Sequence, residues 1–167
     1  MAATADLKAY TGTGAATETA AGNWNLMSID SYDTSGVQYR SERVQTPTTG
    51  SAYSYERWLR LKFSGSFTSI SDLKVYHSAG TLSDANFDLL AGTTTSAATP
   101  ITTASAVATT TLTGWDSVGE AINISVGGAI IAPGYSNYLV IQFKVTSSAT
   151  TSGDIGNHTL YFMWTES

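Results

Sequence analysis

Cysteine is absent from the 167-residue chain, which excludes disulfides and thiolate metal sites and leaves packing and hydrogen bonding to hold the fold. Charge is scarce as well, at 13% of residues. Proline occurs three times, as Pro47, Pro100 and Pro133, each between strand-like stretches, where turn chemistry expects it. There are two histidines, His77 and His158. Neither stands in an H-E-x-x-H or comparable metal-ligand spacing, so both read as surface or rim residues. No run approaches the roughly 20 apolar residues that span a bilayer, and the start, "MAATADLKAYTGTG", lacks a basic segment followed by an apolar one. The expectation is a soluble protein without a signal peptide.

Catalytic signatures are equally sparse. Ser136 in "GYSNY" misses the G-x-S-x-G elbow of hydrolases because Tyr138 replaces the second glycine. The 13 carboxylates are scattered, with no spacing that marks a glycosidase pair. "TGTG" (11–14) and "GG" (127–128) lack the following helix and lysine of a phosphate site. No catalytic residue, cofactor or metal ligand is assigned; an ion in the Asp-rich loop "DSYD" (30–33) stays open. The Asn123-Ile124-Ser125 and Asn157-His158-Thr159 sequons matter only in a glycosylating pathway.

What the chain has in abundance is hydroxyl. Serine and threonine make up 47 of its residues, a surface chemistry suited to exposed pleated faces. Charge is also unevenly placed. The net charge is -5, yet Arg40–Lys74 holds six of the eight bases and is net +3. Such asymmetry can orient a subunit against an identical neighbour or an acidic lattice.

Alternation supplies the fold. "NWNLMSI" (23–29) and "VQYRSERV" (37–44) flank a turn-rich "DSYDTSG" and suggest a hairpin. "YERWLRLKF" (55–63) sets Tyr55, Arg57, Leu59, Leu61 and Phe63 on one face and Glu56, Trp58, Arg60 and Lys62 on the other, solvent-facing one. "SISDLKVYH" (69–77) turns Leu73 and Val75 inward, with Lys74 and Tyr76 outward. "EAINISV" (120–126) offers Ile122, Ile124 and Val126, and "NYLVIQFKV" (137–145) offers Leu139, Ile141, Phe143 and Val145. "HTLYFMW" (158–164) sets Leu160, Phe162 and Trp164 against Tyr161 and Met163. Only "LSDANFDLL" (82–90) suits a helical turn, capped by Ser83. An all-β fold follows, an antiparallel β-sandwich or jelly roll of about seven or eight strands in a single domain over 23–167. Residues 1–22 and 91–114 are Ala, Thr and Gly tracts with little to bury. Each reads as a flexible segment or as an extended arm ordered on a neighbouring subunit.

The residues alone suit two binding readings. Aromatics and bases interleave at Tyr55, Arg57, Trp58, Arg60, Lys62, Lys74 and Tyr76, as on a nucleic-acid-binding sheet. The acidic balance of the chain argues against a polyanion, so no nucleic-acid partner is expected. Carbohydrate binding through Trp24, Trp58 or Trp115 is the stronger rival.

Taken together, "DLKAYTG", "YERWLRLKFSGSFTSISDLKVYHSAG" and "SNYLVIQFKVTSSATTSGDIGNHTLYFMWTES" resemble the small β-rich virion proteins of tailed bacteriophages that decorate or cement the capsid. The resemblance covers most of the chain as a pattern, without a diagnostic motif. It implies a β-sandwich without catalytic residues that binds the outer surface of the major capsid protein lattice, often as a trimer, and stabilises the head. Tail and fibre proteins share the style. On this reading the interface holds Tyr55, Arg57, Trp58, Arg60, Lys62 and Tyr76, with Trp58 as anchor. Leu7 and Tyr10 belong to the N-terminal arm that drapes over an adjacent protein.

Overall fold

A computed structural model of the chain describes residues 2–11, 13–21, 46–54, 56–79, 87–96, 115, 117–148 and 159–167. Among the described residues, ten strands in two antiparallel sheets make up an all-β sandwich, against the seven or eight expected. The large sheet contains β1 (Thr4–Thr11), β2 (Thr17–Ala20), β3 (Ser51–Tyr53), β4 (Arg57–Ser64), β6 (Phe87–Thr94), β8 (Gly134–Tyr135) and β9 (Tyr138–Thr146). The small sheet runs β10 (Thr159–Glu166), β5 (Ile70–Ala79), β7 (Ile122–Asn123).

Alternation fixes which side of each strand faces its partner sheet. Leu59, Leu61 and Phe63 of β4 point inward, as do Leu139, Ile141, Phe143 and Val145 of β9. They meet Ile70, Leu73 and Val75 of β5 in one continuous core. Each large apolar side chain buried there contributes about 1.5–3 kcal/mol relative to exposure. The inward pattern of β5 carries one phase shift. Ile70 and Leu73 both point inward although three residues apart, because Asp72 takes a positive φ of 52° and bulges the strand. The register with β10 slips at the same place, between Met163 and Thr165. Aspartate tolerates the left-handed region better than most residues.

β9 is the spine of the large sheet. Along one edge it pairs with β6 from Tyr138 to Val145. Its other edge is shared by β4, opposite Leu139–Ile141, and β3, opposite Lys144–Thr146. β3 and β4 are therefore one line of chain broken at 54–56. β8 and β9 are likewise one line broken at 136–137, with β8 paired to the far end of β4.

The two breaks are spliced in the same way. Ser54 donates its N–H to the Phe143 carbonyl, and its Oγ accepts the Phe143 N–H at 2.9 Å. Ser136 donates its N–H to the Leu61 carbonyl, and its Oγ accepts the Leu61 N–H at 3.0 Å. Both serines are fully buried. A hydroxyl thus substitutes for a backbone carbonyl where the ladder skips, so the N–H groups of Phe143 and Leu61 keep an acceptor. Ser125 serves Leu73 similarly at the end of β7. Gln142 reinforces the first break by donating Nε2 to the Ser54 carbonyl at 2.7 Å.

Several expectations change. The N-terminal arm is extended as expected, but it is paired with its own chain: β1 runs antiparallel to β4 from Thr4↔Ser64 to Tyr10↔Trp58, and β2 folds back on β1. Ala5, Leu7 and Ala9 pack against the core. Phe87–Leu90 forms strand, not a helical turn, because β9 offers it an open edge. Ala91, placed in the tract with little to bury, is fully buried in that strand. The strand expected over 120–126 is reduced to Ile122–Asn123, and Val126 is exposed. His77 is buried beside Trp115 rather than on the rim, its ring 6.0 Å from the indole. The hairpin of 23–44 with Trp24 and "DSYD", residues 82–86 with Ser83, residues 97–114 and His158 lie outside the described residues.

Candidate binding face of the large sheet

The side of the large sheet turned away from the core carries the strongest chemistry of the chain. Cross-strand register builds it in rows: Tyr10 beside Trp58 beside Val140, Lys8 beside Arg60, and Asp6 beside Lys62 beside Tyr135. Glu18 of β2 lies opposite Tyr10.

Aromatic packing organises the centre. Tyr138 receives Tyr10 at a ring-centroid distance of 5.3 Å and Trp58 at 5.2 Å, both edge-to-face, and all three rings are buried. Such pairs add about 0.5–1.5 kcal/mol to the burial itself. The Trp58 indole N–H donates to Glu56 Oε2 at 2.9 Å, and Glu56 is 2% exposed.

Arg60 is held from three directions. Its Cζ lies 4.4 Å from the Tyr138 ring centre and 4.8 Å from that of Tyr135, and its Nε donates to the Ser136 carbonyl at 2.6 Å. Cation–π contact on both flanks removes most of the freedom a long side chain would otherwise keep. The break in β8/β9 supplies both the carbonyl and the ring positions.

Glu18 closes the lower end. It accepts from the Tyr10 hydroxyl at 2.7 Å and from Lys62 Nζ at 2.9 Å. The Lys62 hydrogen bond, followed by that of Tyr10, pulls its carboxyl down to about 2. Lys62 is raised to about 12 by Glu18 first and Tyr135 second. Burial, then the Glu18 bond, holds the Tyr10 phenol above its usual range. At the opposite end of the sheet Lys144 pairs with Asp88 at 2.8 Å, which raises the ammonium.

Of the residues proposed from sequence, the structure brings Tyr10, Trp58, Arg60 and Lys62 together here. Trp58 is not the exposed anchor that alternation suggested. It is 6% exposed and roofed by Tyr10 and Tyr138 from the flanking strands. Glu56, assigned to solvent with it, is buried by the same packing. Arg57 is buried on the core-facing side, and Leu7 packs half-buried against the core. Tyr55 lies outside the described residues. Tyr76 stands on the other sheet. Its ring is 5.3 Å from Tyr161, its cross-strand partner, in a tilted pair of which Tyr161 is 55% exposed.

Sequence reasoning missed Lys8, Glu18, Tyr135 and Tyr138. The phase of "GYSNYLVIQ" held a signal for Tyr138, since it falls on the face opposite Leu139, but only the pairing to β4 places it over Arg60. Trp115, offered for sugar binding, is 1% exposed. Ser136 spends its hydroxyl on the Leu61 N–H and the Asn137 carbonyl. Among the described residues, no three His, Cys, Asp or Glu side chains cluster as metal ligands, and no helix is long and apolar enough to cross a membrane.

The fold and this face define a class, an all-β sandwich with a preassembled aromatic and cationic surface. No protein-family model, curated protein or solved structure matches the chain in the comparisons made.

Proposed function

We propose that the protein is a non-enzymatic structural protein of a virion, a decoration or cement protein that binds the outer surface of the major capsid protein lattice and stabilises the head, working as a homotrimer without a cofactor. The observation that carries this reading is Arg60, clamped between Tyr135 and Tyr138 on the outer face of the large sheet. Arginine and tyrosine dominate interface energies, and an immobilised side chain loses little further entropy on binding. The resemblance of the sequence to phage head proteins and its hydroxyl-rich composition point the same way.

The test is mass in solution at micromolar concentration, followed by co-sedimentation with purified heads and, separately, tails lacking the protein. A discrete oligomer that pellets with heads is expected. Pelleting with tails alone moves the protein to the tail or fibre, and a monomer indifferent to both removes the virion reading.

One observation favours a second reading. The Tyr76–Tyr161 pair, with Tyr161 exposed and Lys74 and Asn123 in register beside it, is a platform on which a sugar ring could stack. A lectin-like module binds an oligosaccharide array as a monomer and loses that binding when Tyr161 is truncated. A cement protein ignores the array.

A further inference from the structure

The centre of the outer face contains a like-charge cross-strand pair that the sheet itself does not need. Lys8 of β1 and Arg60 of β4 are direct cross-strand partners, an arrangement that destabilises an antiparallel pair unless something offsets it. Neighbouring acids offset part of it, on the lysine side. Glu18 is occupied by Lys62 and Tyr10, and Asp6 reaches Lys8 only at 3.6 Å. Around Arg60, two tyrosine rings contact the guanidinium carbon and a carbonyl accepts from Nε, but no carboxylate among the described residues pairs with the charge. Its two terminal nitrogens make no hydrogen bond among the described residues, and the side chain is only partly buried.

The geometry selects a ligand shape. With Nε committed to the Ser136 carbonyl, the guanidinium can be approached only end-on, through both Nη groups. That fork matches the two oxygens of a carboxylate, and Lys8 stands beside it as a second cation.

We propose that Lys8 and Arg60 form a binding site for a carboxylate, supplied by an acidic side chain of a partner protein, with Arg60 as the bidentate donor and Lys8 as the flanking charge. This deepens the reading of the large sheet's outer face as the partner-binding surface and rests on it.

A hexaglutamate peptide is the probe, titrated into the full chain at low salt and at physiological salt. Saturable binding that weakens with salt is expected, and the guanidinium nitrogen resonances of Arg60 should move over the same concentrations. Arg60→Lys keeps the charge but not the fork and should weaken binding about tenfold. Lys8→Ala should weaken it about threefold, and Lys144→Ala, at the far end of the same sheet, should leave it unchanged. A folded Arg60→Gln variant that binds the peptide like wild type overturns the proposal. So does peptide binding that leaves the Arg60 resonances still, a readout in the unaltered protein that holds even if the variants fail to fold. Inorganic phosphate that saturates these resonances where the peptide does not also overturns the carboxylate assignment. Peptide binding without co-sedimentation with heads sustains this site and sinks the lattice reading; co-sedimentation that persists without any peptide binding does the reverse.

Discussion

The two outer faces of this sandwich are written in the same residue types and come to opposite ends. On the large sheet, Trp58, Tyr10 and Tyr138 bury one another and every acid near them is engaged. On the small sheet, Tyr161 remains 55% exposed beside a half-buried Tyr76. Both sets alternate with inward apolar residues, so periodicity treats them alike. The difference is lateral. β4 is flanked by long strands on both sides: β9 delivers Tyr138 onto Trp58, and β1 places Tyr10 in register beside Trp58 and against the Tyr138 ring. β5 has β10 on one side and the two-residue β7 on the other. An outward aromatic is closed over when both neighbouring strands carry rings at the matching register, and otherwise remains available.

The sharpest way to break this comparison is Trp58→Ala. It removes a buried ring and leaves the buried Glu56 without its indole donor, so a loss of about 3–5 kcal/mol is expected, measured by urea denaturation. A loss under 1 kcal/mol would mean that the ring is not part of the packed interior.

Next in size is the pair of serine splices. Ser136→Ala and Ser54→Ala each strand one buried N–H, that of Leu61 or Phe143, and each should cost about 1–3 kcal/mol. Because the geometry is the same at both breaks, the two values should agree. A neutral Ser136→Ala would show that Leu61 N–H finds another acceptor.

The pH dependence is smaller. Glu18, depressed to about 2 from its ordinary value near 4.5, contributes stability that is present above pH 4.5 and is lost as pH falls toward 2. Glu18 is exposed, so solvent screening holds that contribution to about 1 kcal/mol or less. Lys62 and Tyr10 are both raised. Their contributions are intact below pH 10 and decline as the solution becomes more alkaline, Tyr10 from about pH 10 and Lys62 up to about 12. Denaturation midpoints of Glu18→Gln should lose the acid limb specific to this group; an unchanged limb assigns the acid sensitivity elsewhere.

Smallest is Tyr161→Ala, expected to change stability by about 0.5 kcal/mol or less because the ring is mostly in water. A thermal shift comparable to that of Trp58→Ala would erase the distinction between the two faces.

Particular residues show what could be read in advance. Leu59, Leu61 and Phe63, like Leu139, Ile141 and Phe143, occupy the core that alternation assigned them, because side-chain direction in a strand is a local property with period two. Glu56 and Trp58 obeyed the same period and were still misjudged. Their burial depends on what strands far away in sequence place beside them. Ser54 and Ser136 were lost among the 47 hydroxyls of the chain, since a serine that completes a sheet ladder has no local mark distinguishing it from one that faces water. Asp72 is similar: its positive φ shifts the phase of β5, and no neighbour in sequence announces it.

The sequence by itself determined the all-β class, the inward face of the principal strands and the absence of disulfides, all consequences of composition and short-range periodicity. Only the tertiary structure decided that the N-terminal segment is built into the large sheet, that Trp58 is interior while Tyr161 is not, and that Arg60 is fixed between two tyrosines. Each of these depends on strand order and register, set by contacts between residues far apart along the chain, which local pattern cannot specify.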